Sequence, residues 1–141
     1  MLERELWFAL NPWFLFRDPY PIYKRQIAVS VHGDDVIFSL YKDQPIYRDL
    51  LQDFVSCLDE RVSKSRKAFE AKSWKDLSHL MHQLRGAAAT YGYPSLAELA
   101  GGVELASIAA TIVEPQIAAS IDSIDKACKK IEAGMALTPA V

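Results

Sequence analysis

Cysteine is scarce in this chain: it has two, Cys57 and Cys128, and no CxxC pair. That excludes a disulfide scaffold. Both thiols fall inside apolar helical patterns, so the sequence predicts buried thiols in a reducing compartment, the cytoplasm. An excess of one charge is also missing. The 16 Lys and Arg residues face 18 Asp and Glu, for a formal net charge of −2. The basic residues are scattered rather than gathered into the stripe a phosphate backbone requires, so nucleic acid is not an expected partner. No apolar run approaches the roughly 18–20 residues of a membrane span, and a membrane is not expected either. The opening run MLERELWFALNPWFLF is interrupted by acids, Asn11 and Pro12, and makes a poor signal peptide. What the chain does have is apolar surface: half of its 141 residues are hydrophobic, enough for one domain to bury a core without staples.

From Asp43 onward that apolar content recurs at spacings of three and four, with turn residues between the periodic segments. Ile46, Leu50, Leu51, Phe54, Val55, Leu58, Val62 and Phe69 form the stripe of one long helix over about 44–71, with Asp43 as its N-cap. Ser73 and Asp76 resemble a capping box and open a second helix running to about Tyr91, closed by Gly92. Ser95 and Glu98, with Pro94 before them, start a third helix carrying Leu96, Leu99, Ala100 and Val103. A last helix begins near Pro115, bears the seam Ile117, Ile121, Ile124, Cys128 and Ile131, and ends at Gly134. Short connections between amphipathic helices make antiparallel neighbours. The expected fold is therefore all-α, an up-and-down antiparallel four-helix bundle over residues 43–135, with a flexible tail at 136–141.

Residues 1–42 read differently. They are rich in aromatics and broken by Pro12, Pro19 and Pro21, and they predict a short helix at 2–10 followed by an irregular segment. QIAVSV is too isolated to form a stable strand pair. So much apolar surface is expected to lie over the bundle or to cover a partner; the alternative is a start codon placed too far upstream.

The second helix separates two faces at about 100° per residue. Leu77, Leu80, Leu84, Ala87 and Tyr91, flanked by Met81 and Ala88, make the core side. His82 points away from them among Ser78, Gly86 and Ala89, with Arg85 beside it and His79 about 60° round. A glycine within a helix costs about 1 kcal/mol relative to alanine. On an outer face, Gly86 therefore reads as space for another protein's backbone close to the His82 ring.

The run His82-Gln83-Leu84-Arg85-Gly86-Ala87-Ala88, with Gly92, Pro94 and LAELAGGVE downstream, resembles the histidine-containing phosphotransfer (HPt) domains of bacterial phosphorelays. The likeness covers about 44–134 and includes an AxxWxxL turn at Ala71, Trp74 and Leu77. It implies that His82 is phosphorylated by an aspartyl phosphate on one receiver domain and passes the group to another. The partners would be receiver domains of response regulators and hybrid histidine kinases. Neutral imidazole is a nucleophile near pH 7 without a buried base, and in such domains the receiver supplies the Mg²⁺, lysine and aspartate. No cofactor is then expected on this chain, and no autokinase activity. The resemblance places Arg85 at the family's usual lysine, to offset phosphoryl charge. It also places Glu104 where a carboxylate or amide bonds the second ring nitrogen. Gln83 sits at the edge of the same face, beside docking positions Gly86, Ser78, Ala89 and His79. Tyr91 reads as core and Tyr93 as exposed.

Gly101-Gly102 departs from this pattern: the pair costs about 2 kcal/mol in a helix and threatens to bend or end it before Glu104. Two other readings stay open. His79 and His82 could share a metal ion, although no third ligand stands at a matching spacing and Arg85 would repel a cation; a zinc titration separates that case. The bundle could also be a helical interaction or regulatory module without phosphotransfer, for which loss of the histidine would be the sign.

Overall fold

The structure, a computed structural model, describes residues 36–137. The expected helix at 2–10, the aromatic segment and QIAVSV lie outside the described residues, as do 138–141. Among the described residues the chain is all helical, without strands. After a 3₁₀ turn, Pro45–Tyr47, come α1 (Arg48–Ser56), α2 (Leu58–Glu70), α3 (Trp74–Thr90), α4 (Pro94–Ser107) and α5 (Glu114–Leu137). Each of α2 to α4 packs on the next helix in chain order, and α5 closes the ring on α1 and α2.

The long first helix is thus a 3₁₀ turn and two α-helices separated at Cys57. There the Cys57 N–H donates to Phe54 O (3.1 Å), and the Ser56 hydroxyl takes the Asp53 carbonyl (2.7 Å). Asp43 caps nothing; Gln44 precedes the first turn without a side-chain bond. The buried stripe runs across the break through Leu51, Phe54, Val55, Leu58, Val62 and Ala68, so the core is continuous. Cys57 is exposed, contrary to expectation, because it lies off the stripe that Phe54, Val55 and Leu58 continue past it, whereas Cys128 is buried on α5.

Helices α2 and α3 end alike. In each, the residue after the C-cap has positive φ, Lys72 (54°) and Gly92 (83°). Its N–H and the next one bond back to Phe69 and Ala68, and to Ala89 and Ala88, respectively. This is the Schellman arrangement, which satisfies the last carbonyls and reverses the chain. At the second of these turns Tyr93, expected to be exposed, lies in the core, and Tyr91 packs beside it. Tyr93 is buried and Tyr91 half-buried, both stacked on Phe54 at centroid distances of 5.8 and 4.9 Å. Burial pushes the Tyr93 hydroxyl up to about 12.

Helix α4 starts at Pro94 itself, with Tyr93 as N-cap; Ser95 is already inside the helix and caps nothing. The helix runs through Gly101 and Gly102 to Ser107, carrying Leu96, Ala100 and Val103 into the core. Likewise, Gly134 does not end α5 but is buried within it. A Cβ there would overlap the carbonyl oxygen of Ile37. Residues 36–41 form a strap over this end of the bundle. Ile37 N–H donates to Lys130 O (3.0 Å), Leu40 N–H to Gly92 O (2.9 Å), and the Ser39 hydroxyl to Tyr91 O (2.6 Å). The strap therefore fastens the end of α3 to α5.

Candidate functional site

Helix α3 buries Leu77, Met81, Leu84, Arg85 and Ala88, whereas Leu80, Ala87 and Tyr91 are only half-buried. The core face is thus rotated toward Met81 and Ala88 relative to the expected one. Its most extensive packing is with α4, where Ala100 and Gly101 are small enough to admit a neighbouring helix closely. That rotation carries Arg85 inward. The arginine expected on the outer face has a side chain only 6% exposed and is part of the α3–α4 interface.

Its partner is Glu104, also buried, with Arg85 Nε 2.9 Å from Glu104 Oε1. The other carboxylate oxygen, Oε2, lies 2.8 Å from Nδ1 of His82, whose side chain is 61% exposed. Arg85 Nη2 also comes within 3.0 Å of His82 Nδ1. The two contacts ask opposite things of that nitrogen, since a carboxylate needs a proton there and a guanidinium needs a lone pair. The carboxylate contact is the shorter one and joins a charged acceptor to a ring N–H, which makes it the stronger bond. Nδ1 therefore donates to Glu104, and Arg85 acts on the carboxylate. Nε2 keeps its lone pair.

The remaining candidates fall in two groups. Gln83 and His79 engage each other, with the Gln83 amide donating to His79 Nε2 (3.2 Å), rather than joining the His82 network. Ser78, Gly86 and Ala89 are half-buried along the outer side of α3. A Cβ at Gly86 would meet no atom within 4 Å, so no internal packing requires glycine there. The site residue that the sequence did not single out is Gly101. A Cβ on it would stand 3.1 Å from Cδ of Arg85, so the arginine stem lies across the bare backbone of α4. Its signal was the double glycine inside a helix, which read as a liability. Among the described residues no group of three or more His, Cys, Asp or Glu could hold a metal ion.

The His82 imidazole is thus exposed, with Nδ1 held against the buried Glu104, on α3 within the ring formed by α2 to α5. The Hpt domain family model matches residues 49–134, more than half of the chain. The chain belongs to the Hpt domain family. Comparison with curated proteins and with solved structures finds no match. Hpt domains take part in histidine phosphotransfer within phosphorelay signalling, where they interact with receiver domains and act as phosphocarriers rather than catalysts. Among the described residues of this Hpt domain, no helix is long and apolar enough to cross a membrane.

Proposed function

We propose that His82 accepts a phosphoryl group from the aspartyl phosphate of one receiver domain and delivers it to the aspartate of another. The observation that carries this reading is the asymmetry of the His82 ring, exposed overall but held at Nδ1 by the buried Glu104. The Nε2 lone pair attacks phosphorus, and the bond between phosphorus and the aspartyl oxygen breaks, its electron pair leaving on the aspartate. The ring keeps its Nδ1 proton throughout and becomes an imidazolium, whose positive charge faces the Glu104 carboxylate. No proton has to leave, so no general base is required on this chain. Delivery is the reverse attack, by the carboxylate of the second receiver on the phosphorus held at Nε2.

The transition state of phosphoryl transfer is loose and depends mainly on positioning and charge neutralisation. In this reading the receiver supplies the lysine and Mg²⁺ that neutralise the phosphoryl oxygens, while Arg85, buried against Glu104, acts on that carboxylate. The Gly86 surface, where a side chain is missing without internal need, gives the receiver backbone a place to approach. Receivers of response regulators and hybrid kinases are the partners, and the cytoplasm is the compartment. The chain carries phosphate without autokinase activity.

The test is transfer of label from a phosphorylated receiver domain. Wild type and His79→Gln should acquire an acid-labile, base-stable label, and His82→Gln should acquire none. Label on His82→Gln would overturn the assignment.

A further inference from the structure

We propose that Gly101 is a positioning residue for phosphotransfer: its bare backbone seats the stem of Arg85, which holds Glu104 and, through Glu104, the ring of His82. The proposal rests on the reading of His82 as phosphoryl acceptor, and its experiment separates the two.

Alanine is a better helix former than glycine, so local stability would favour Ala at both 101 and 102. The two positions differ in what a side chain would meet. Gly102 is exposed and its Cβ would find nothing within 4 Å, whereas Gly101 is buried and its Cβ would press on Arg85 Cδ at 3.1 Å. Cδ is bonded directly to Nε, the atom 2.9 Å from Glu104 Oε1. Nε is one bond away from Cδ, so displacing Cδ displaces the atom that faces Glu104. Gly101 and Glu104 are three residues apart on α4 and so share the face turned to α3. The pressure therefore bears on the one carboxylate that bonds His82 Nδ1. The neighbouring glycine is a control supplied by the fold itself, with the same change in propensity and no path to the histidine.

Two readouts on Gly101→Ala and Gly102→Ala test the proposal. The first is the His82 tautomer, read from side-chain ¹⁵N shifts of the isolated protein. Wild type and Gly102→Ala should hold the proton on Nδ1, whereas Gly101→Ala should shift population toward the Nε2–H form. The second is the rate of transfer from a phosphorylated receiver. Because a 1 Å misplacement costs on the order of 100-fold, a shift of a few tenths of an ångström should slow Gly101→Ala roughly 3- to 10-fold. Gly102→Ala should transfer at the wild-type rate. In an Arg85→Ala background Gly101→Ala should change neither readout. If that background does not fold, Arg85→Ala/Glu104→Leu replaces it, and the thermal midpoint should then rise more on adding Gly101→Ala than it does in wild type. Identical tautomer and rate in Gly101→Ala and Gly102→Ala would overturn the proposal, as would an effect of Gly101→Ala that persists without Arg85. Neither outcome touches the acceptor assignment, which stands or falls on His82→Gln.

Discussion

The same pair of groups, an arginine and a carboxylate, joins helices in two places with opposite surroundings. At the α3–α4 seam Arg85 and Glu104 meet with side chains 6% and 9% exposed. At the α2–α5 seam Arg66 reaches Asp122 (3.0 Å) and Asp125 (3.2 Å) with its side chain 41% exposed. The distances are alike and the energetics are not. Water and salt screen the second pair, and such exposed pairs contribute about 0–1 kcal/mol. The first has given up its hydration, so its worth as a pair is small while the penalty for separating it is large. A fold that needed only to join α3 to α4 would do as well with leucines. The buried pair at the histidine is therefore better explained by what it does to the ring than by what it adds to stability.

Removing one half of the buried pair should give the largest effect. Arg85→Ala strands the Glu104 carboxylate and should destabilise the bundle by about 3–5 kcal/mol in denaturant melts. Arg85→Met/Glu104→Leu removes both charges; it should restore stability to near wild type or above while leaving transfer from a phosphorylated receiver slow. A double variant as unstable as the single one would show that the pair is structural, and the contrast between the two seams would collapse.

What the sequence made legible follows the same division. The α5 seam from Ile117 to Ile131 and the outward aim of His82 depend on periodicity within one helix, and a helical wheel captures them. The meeting of His82 with Glu104 came from the family resemblance, not from the wheel. Arg85 sits at the margin between faces, and its side depends on how closely α4 approaches, which depends in turn on Gly101 in another helix. Nothing within 74–91 encodes that. The burial of Tyr93 has the same origin, since the turn at Gly92 and the ring of Phe54 decide it. Residues 36–41 were read together with the irregular extension, because a strap without periodicity leaves its trace elsewhere, in Gly92 and in the buried Gly134. Cys57 is exposed because it lies off the stripe of Phe54, Val55 and Leu58, a margin position that apolar content alone does not resolve.

The exposed pair should respond in the opposite way to the buried one. Arg66→Ala should cost no more than about 1 kcal/mol, and the loss should shrink further in high salt. Transfer should stay at the wild-type rate, because the contacts of Arg66 to Asp122 and Asp125 do not run through His82, Glu104 or Arg85. Denaturant melts at low and high salt check the first point. A loss of the size expected for Arg85→Ala would mean that exposure is not what separates the two seams.

The smallest expected effect lies along the exposed seam, at Lys129, which donates to Asp59 (2.9 Å) and stands 3.9 Å from Glu132. The hydrogen bond from Lys129, then its charge, holds the Asp59 carboxyl below the ordinary value. Glu132 moves the other way, raised first by burial and then by the charge of Asp59. A depressed carboxyl adds stability that is present above its unfolded value and lost as pH falls through the folded one. A raised carboxyl does the reverse, since its ionisation opposes folding and protonation on acidification relieves that opposition. The two carboxylates therefore counteract each other in mild acid. Lys129, raised mainly by its bond to Asp59, contributes stability below its unfolded value that is lost only as pH rises through the folded one. Lys129→Ala should let Asp59 titrate near the ordinary carboxylate range and push Glu132 higher still, as read by carboxyl NMR, with only a small fall in thermal midpoint at neutral pH because the groups are exposed. An Asp59 that stayed depressed would place its stabilising partner elsewhere. A fall as large as that expected for Arg85→Ala would show that this seam, like the one at the histidine, depends on its charges.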